Sequence, residues 1–183
     1  IELKKVELQF TVGGEYTASW FGPVVTGKLA RKRPIVTRDY VSLAPLTSRR
    51  AKVTLPTPSI LHFFGGKDGV SKTAYPDIEE FAADLAGIYR DEFAELYRAG
   101  CRFVQIDEVA LALLCDETIR KSLTARGEDP DRIADLYFRM IEASLAGKPT
   151  DLILSMLLCR GNYKGRWMGS GAYDRIAERL FNI

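Results

Sequence analysis

Two adjacent carboxylates, Asp107 and Glu108, stand at the end of an apolar run, Phe103-Val104-Gln105-Ile106. Such a run predicts a buried strand over 102–106. In parallel α/β sheets ligands gather at the carboxyl ends of strands, so acids at that edge are well placed for chemistry. A plain turn cap is the competing role for Asp107. Two other strand ends carry comparable groups. Ser59 and His62, with Phe63-Phe64, follow the short strand Val53-Thr54-Leu55, and Cys159-Arg160-Gly161-Asn162 follow the run 152–158. Three such edges facing one mouth would collect two acids, a thiol, an imidazole and a guanidinium around one pocket. Each residue also has a quieter role. His62, the single histidine, sits in an apolar setting that suits a hydrogen-bonded structural place. Cys159 ends an apolar run, where a buried inert thiol is the default, and Arg160 could pair with a carboxylate for stability.

The elements that must position these groups follow a strand, loop, helix pattern from Val53 onward. Pro56 and Pro58 close the first strand, because proline cannot sit inside a central ladder. Asp77 and Glu80 have capping-box spacing. Behind them, Ile78, Phe81, Leu85, Ile88, Tyr89, Phe93, Leu96 and Tyr97 form one apolar helical stripe, which Gly100 ends. A short helix is expected over 117–125. A second long helix starts at the cap Asp129 and Pro130, with the stripe Ile133, Leu136, Tyr137, Met140, Ile141 and Leu145, and stops at Gly147 and Pro149. A last helix covers about 172–181. Strands alternating with amphipathic helices imply an α/β fold with a parallel sheet or barrel, and residues 53–183 give about three βα units.

Residues 1–36 read differently. Val6, Leu8, Phe10 and Val12 alternate with polar residues, Gly13-Gly14 offers a turn, and Tyr16, Ala18 and Trp20 resume the alternation. This predicts an antiparallel hairpin, an excursion from the main sheet. A basic cluster follows (Lys28, Arg31, Lys32, Arg33, Arg38, Arg49, Arg50 and Lys52), read as a solvated loop or as cations that meet an anionic substrate tail.

Composition narrows the class. The chain has 183 residues, 46% hydrophobic, which fits a globular domain rather than disorder. A net charge of +2 gives no reason to expect nucleic acid or a membrane surface as partner. No apolar run is long enough to span a membrane. The three cysteines lie in or beside apolar runs, which points to reduced thiols and a cytoplasmic protein. The chain starts at Ile1 and is short for a (β/α)8 barrel of about 250 residues, so we expect a central portion of a longer protein.

The segments LPTPSILHFFGG, AGCRFVQIDEVALALLCD and LLCRGNYKGRW, the last followed by SGAYD, resemble the cobalamin-independent methionine synthase family. The likeness is closer to its shorter, single-barrel branch, and it runs from about Val24 to Asn182. It implies a (β/α)8 TIM barrel of which this chain is one domain's central part, and methyl transfer from a folate-type donor to a zinc-activated thiol such as homocysteine. It further implies that Asp107 binds the substrate amino group and that Cys159 is a metal ligand. The family's histidine ligand falls at Leu157, which cannot donate to a metal, and its other ligands fall beyond Ile183. The candidate substrate-binding set is Asp107, Glu108, Ser59, His62, Arg160, Asn162 and Trp167, with Phe64 or Trp167 as a flat face for a pterin ring. No residue is assigned to catalysis. The alternatives are a zinc-free relative acting on another small thiol or carboxylate compound, and a non-catalytic ligand-binding barrel. A homo-oligomer is also expected if half a barrel stands alone, because strand edges and helix faces would be exposed.

Overall fold

A computed structural model describes residues 1–10, 16–162 and 164–183. The chain opens with β1 (Glu2–Phe10) and β2 (Tyr16–Val24), paired antiparallel in the register Glu2↔Val24 to Phe10↔Tyr16. The hairpin is thus present, while its expected turn at Gly13-Gly14 lies outside the described residues. The following segment joins the body through a parallel bridge, Val25↔Val70. Then come α1 (Thr37–Leu43), β3 (Val53–Pro56), α2 (Ile60–Phe63), α3 (Ile78–Arg98), β4 (Phe103–Glu108), α4 (Ala110–Leu113), α5 (Glu117–Ala125), α6 (Pro130–Leu145), β5 (Ile153–Leu158) and α7 (Asp174–Leu180).

β3, β4 and β5 form a parallel sheet in chain order, each strand joined to the next through helices. The α/β class and the strand-helix rhythm therefore hold. This sheet has three strands, and the described residues do not close it into a barrel.

The two long helices form where their caps and stripes place them. The Asp77 side chain accepts from the Glu79 N–H, and Asp129 accepts from Asp131 and Arg132. Gly100, at φ 97°, lets the chain reverse so that the Cys101 N–H reaches the Leu96 carbonyl at 2.9 Å. The helices pack on each other and on one sheet face, burying Phe81, Leu85, Leu96, Leu136, Met140 and Ile141 against Leu55, Val104 and Ile106.

Arg31, one of the basic cluster, is a structural cation. It donates from Nε and Nη2 to Glu92 at 3.0 and 2.6 Å, and it also pairs with Glu95. Glu92 is fully buried on α3 and further accepts from the N–H groups of Ile35, Val36 and Thr37 and from the Thr37 hydroxyl, at 2.8 to 2.9 Å. A carboxylate thus caps the first turn of α1, a helix the sequence reading passes over as loop. Burial disfavours the charged form of Glu92. The Ile35 and Val36 amides, Arg31 and Thr37 overcome that cost and hold its carboxyl below the ordinary range.

Candidate functional site

β4 extends two residues further than the apolar run, so Asp107 and Glu108 are its last two members. Alternation then sends them to opposite faces. Glu108 shares the helix-covered face with Val104 and Ile106 and is fully buried. Its Oε2 accepts from Thr57 Oγ1 at 2.6 Å and Ser59 Oγ at 2.9 Å, and its Oε1 from the Leu111 N–H at 2.7 Å. Burial raises the Glu108 carboxyl above its ordinary value, while the hydrogen bonds from Thr57, Leu111 and Ser59 work the other way. Ser59 is fully buried in the same network. The pair ties the loop after β3 to the start of α4.

Asp107 points to the other, open face, beside Thr54 and Gln105. Its Oδ2 accepts from Thr54 Oγ1 at 2.5 Å and its Oδ1 from Gln105 Nε2 at 2.7 Å. Gln105 in turn accepts from Lys52 Nζ at 2.8 Å. The strand register sets Asp107 beside Leu157 of β5. By the same alternation Leu157 and Cys159 share the open face with Asp107, and the ladder carries on past β5 through the Cys159 N–H to the Glu108 carbonyl at 3.0 Å.

After Cys159 the chain turns into a loop whose shape depends on glycine. Gly161 has φ 74°, and a Cβ there would lie 2.5 Å from Met168 Sδ; at Gly171, φ 111°, it would lie 2.3 Å from the Cys115 carbonyl oxygen. The Arg160 carbonyl accepts from the N–H groups of Met168 and Gly169 at 2.9 and 3.2 Å, so the loop closes on itself. The Arg160 guanidinium donates to the Gly171 carbonyl at 2.6 Å. It also lies over the rings of Trp167 and Tyr173, at 5.4 and 5.1 Å. Asn162 Oδ1 accepts from the Gly165 N–H at 3.0 Å. Asp116 anchors the loop from the far side. Its Oδ1 caps α5, and its Oδ2 accepts from the Ser170 N–H and hydroxyl at 2.6 and 3.0 Å.

A cleft of about 440 Å³ opens at this edge, lined by Leu157, Cys159, Arg160, Asn162, Arg166 and Trp167 among others. Four of the expected residues (Cys159, Arg160, Asn162 and Trp167) are therefore brought together, with Asp107 on the adjoining strand. His62, Ser59 and Glu108 are on the helix side of the sheet instead. The His62 Nδ1 lies 2.7 Å from Tyr137 Oη, and its ring meets those of Phe81 and Tyr137. Burial lowers its pKa to about 4, so the ring is neutral at pH 7. Phe64 packs on Phe63, with ring centroids 5.5 Å apart. Thr54, Gln105, Asp116 and Tyr173 hold the site together and escape a reading by strand ends alone. Their one visible signal is parity for Thr54 and Gln105, which share a face with Asp107.

The metal expectation meets a poor donor set. Among the described residues no three His, Cys, Asp or Glu side chains stand close enough to hold an ion. Cys159 has Leu157, 46% exposed, where a second ligand would be needed. The described residues do not by themselves fit a zinc centre. Cys101 and Cys115 are buried free thiols, and burial pushes both pKa values up.

No protein-family model matches the chain. It is 35% identical over 159 residues to the uncharacterized protein YxjH of Bacillus subtilis, covering 86% of this chain and 41% of that protein. It is 33% identical over 163 residues to YxjG of the same organism, covering 88% and 42%. A shorter match, 33% identical over 89 residues, links 49% of the chain to 11% of a 5-methyltetrahydropteroyltriglutamate–homocysteine methyltransferase of Thermosynechococcus vestitus. A solved structure from Listeria monocytogenes, described as a candidate vitamin-B12-independent methionine synthase, superposes with a TM-score of 0.61 at 29% identity, over 75% of this chain and 41% of that one. The likeness is to methionine-synthase-type proteins. A B12-independent methionine synthase of Shewanella shares the fold, with a TM-score of 0.59 at 22% identity over 87% of this chain and 40% of that one. The chain spans about two fifths of the length of the two Bacillus relatives, at 41% and 42%. No helix among the described residues is long and apolar enough to cross a membrane.

Proposed function

We propose that this chain is the central part of a (β/α)8 barrel that transfers a methyl group from a folate-type donor to a small amino-acid thiol such as homocysteine. The observation that carries this reading is the placement of Asp107 and Cys159 on one open sheet face, beside the cleft formed by the Arg160–Trp167 loop. Asp107 is an acceptor with its geometry fixed by Thr54 and Gln105, suited to an ammonium group. The Trp167 ring, 58% exposed at the cleft, offers a flat apolar face to a pterin. Arg160 spends its guanidinium on shaping the loop, and Asn162 on closing its turn, so both position the cleft. The likeness to methionine-synthase-type proteins supports the same chemistry. Methyl transfer to sulfur needs a thiolate.

Leu157 favours a second reading, in which the barrel acts without zinc on another small thiol or carboxylate compound. Elemental analysis of the intact purified protein, with and without homocysteine, separates the two: about one zinc per chain supports the first, and none in either sample leaves the second. The first reading also requires methionine to form from homocysteine and a methylated folate; a zinc-loaded protein that forms none rules it out.

A further inference from the structure

The single histidine of the chain faces a cavity unrelated to the cleft. The cavity, about 400 Å³, lies on the helix side of the sheet, between the loop before α3 and the first turn of α6. That volume is in the range of small-molecule sites, roughly 300–1,000 Å³. Val70, Ile78, Ile133 and Leu136 form its apolar wall, and His62, Lys72, Glu128, Asp129 and Arg132 line the rest.

His62 is only 6% exposed, and its one hydrogen-bond partner among the described residues is Tyr137, through Nδ1. Tyr137 is buried and has no other acceptor among those residues, so its phenol proton goes to Nδ1. The imidazole hydrogen then sits on Nε2, a donor left for the cavity. The acids on the wall are committed. Asp129 caps α6, and Glu128 pairs with Arg126 at 3.1 Å. Arg132 pairs with Asp129 at 3.6 Å, whereas Lys72 has no partner among the described residues. The uncommitted side chains on this wall are thus one neutral N–H donor and one ammonium, set beside the apolar surface of Val70, Ile78, Ile133 and Leu136.

We propose that this cavity binds a small organic carboxylate with an apolar body, its carboxylate received by His62 Nε2–H and Lys72. The site is separate from the cleft beside Cys159 and does not depend on the methyl-transfer reading. Because His62 is the only histidine here, its imidazole is a direct reporter. The test titrates phenylacetate into the intact protein labelled with ¹⁵N-histidine, with the His62 signals assigned by their loss in His62→Gln. The expected result is a saturable shift of the His62 Nε2 resonance. Phenylacetamide should bind about tenfold more weakly, and Lys72→Glu should weaken phenylacetate by at least about tenfold, the worth of one charge-assisted contact. Lys72 is exposed, so that variant should keep the fold, and Ile133→Trp should block binding by filling the chamber. A His62 resonance unmoved at millimolar phenylacetate overturns the proposal. So does equal binding of acid and amide, or a shift that survives Lys72→Glu undiminished. Should His62→Gln fail to fold, the Lys72 and Ile133 variants assign and decide the case.

Discussion

Asp107 is held by Thr54 and Gln105, its neighbours on the open face, at 2.5 and 2.7 Å. Under the methyl-transfer reading, Asp107→Asn keeps the shape and removes the charge, so KM for an amino-acid thiol should rise by about 10- to 100-fold, the worth of a charged hydrogen bond. Thr54→Val should raise KM by a smaller factor with kcat little changed, since it frees the carboxylate to turn; steady-state kinetics on both variants checks the split. Glu92 is a different kind of acid. Glu92→Gln removes the charge opposite Arg31 in a buried network, and denaturant unfolding should show a loss of roughly 3 kcal/mol or more. Two groups lose stability in acid, while Glu108, whose carboxyl burial raises, works the other way as it takes up its proton. The Glu92 carboxyl lies below its unfolded value, so its contribution is present above pH 4.5 and is lost as pH falls through the folded value. His62 titrates at 6.5 unfolded and at about 4 folded. Between those values the unfolded chain binds the extra proton, so stability falls with pH, by on the order of 3 kcal/mol for the full shift. Measured from pH 7 to 4, unfolding stability should fall less steeply in His62→Gln, where it folds, than in the parent protein, which isolates the His62 part from the opposing Glu108.

At the scale of elements, the cleft depends on a loop held at both ends. Gly161 and Gly171 take left-handed backbone where a Cβ would strike Met168 and the Cys115 carbonyl. Asp116 joins the cap of α5 to Ser170. Asp116→Ala should cost about 1–2 kcal/mol from the cap alone and loosen the loop as well. Hydrogen exchange at the Ser170 amide should quicken in that variant while β4 amides stay protected. An unchanged Ser170 rate would mean that the loop holds without this anchor. The helices themselves were legible. Caps and three-and-four-residue apolar spacing placed α3 and α6 because both signals are local. α1, α2 and α4 were not. They are short, and α1 takes its cap from Glu92, 55 residues away along the chain from Thr37.

At the scale of the whole molecule, the sheet covers one face with helices and leaves the other open. Ile153 and Leu157 are 43% and 46% exposed there, and β3 and β5 are both edge strands among the described residues. A polypeptide of these residues prepared alone should self-associate, which light scattering after size exclusion would show as a mass above 20.5 kDa.

The sequence by itself determined the α/β class, the order of strands and long helices and the N-terminal hairpin pairing, because periodicity, caps and turn residues act over a few positions. It also placed Cys159, Arg160, Asn162 and Trp167 in one neighbourhood, since they share one loop. Only the tertiary structure separated Asp107 from Glu108. The acids read as the end of a strand, yet β4 runs through them, and alternation leaves one on the open face and buries the other. Glu108 can be buried because Thr57 and Ser59, 51 and 49 positions earlier, donate to it. In the same way His62 turned away from the cleft, drawn to Tyr137, 75 positions along the chain. A side chain's partner across the fold decides whether it faces ligand or core, and no local spacing carries that information.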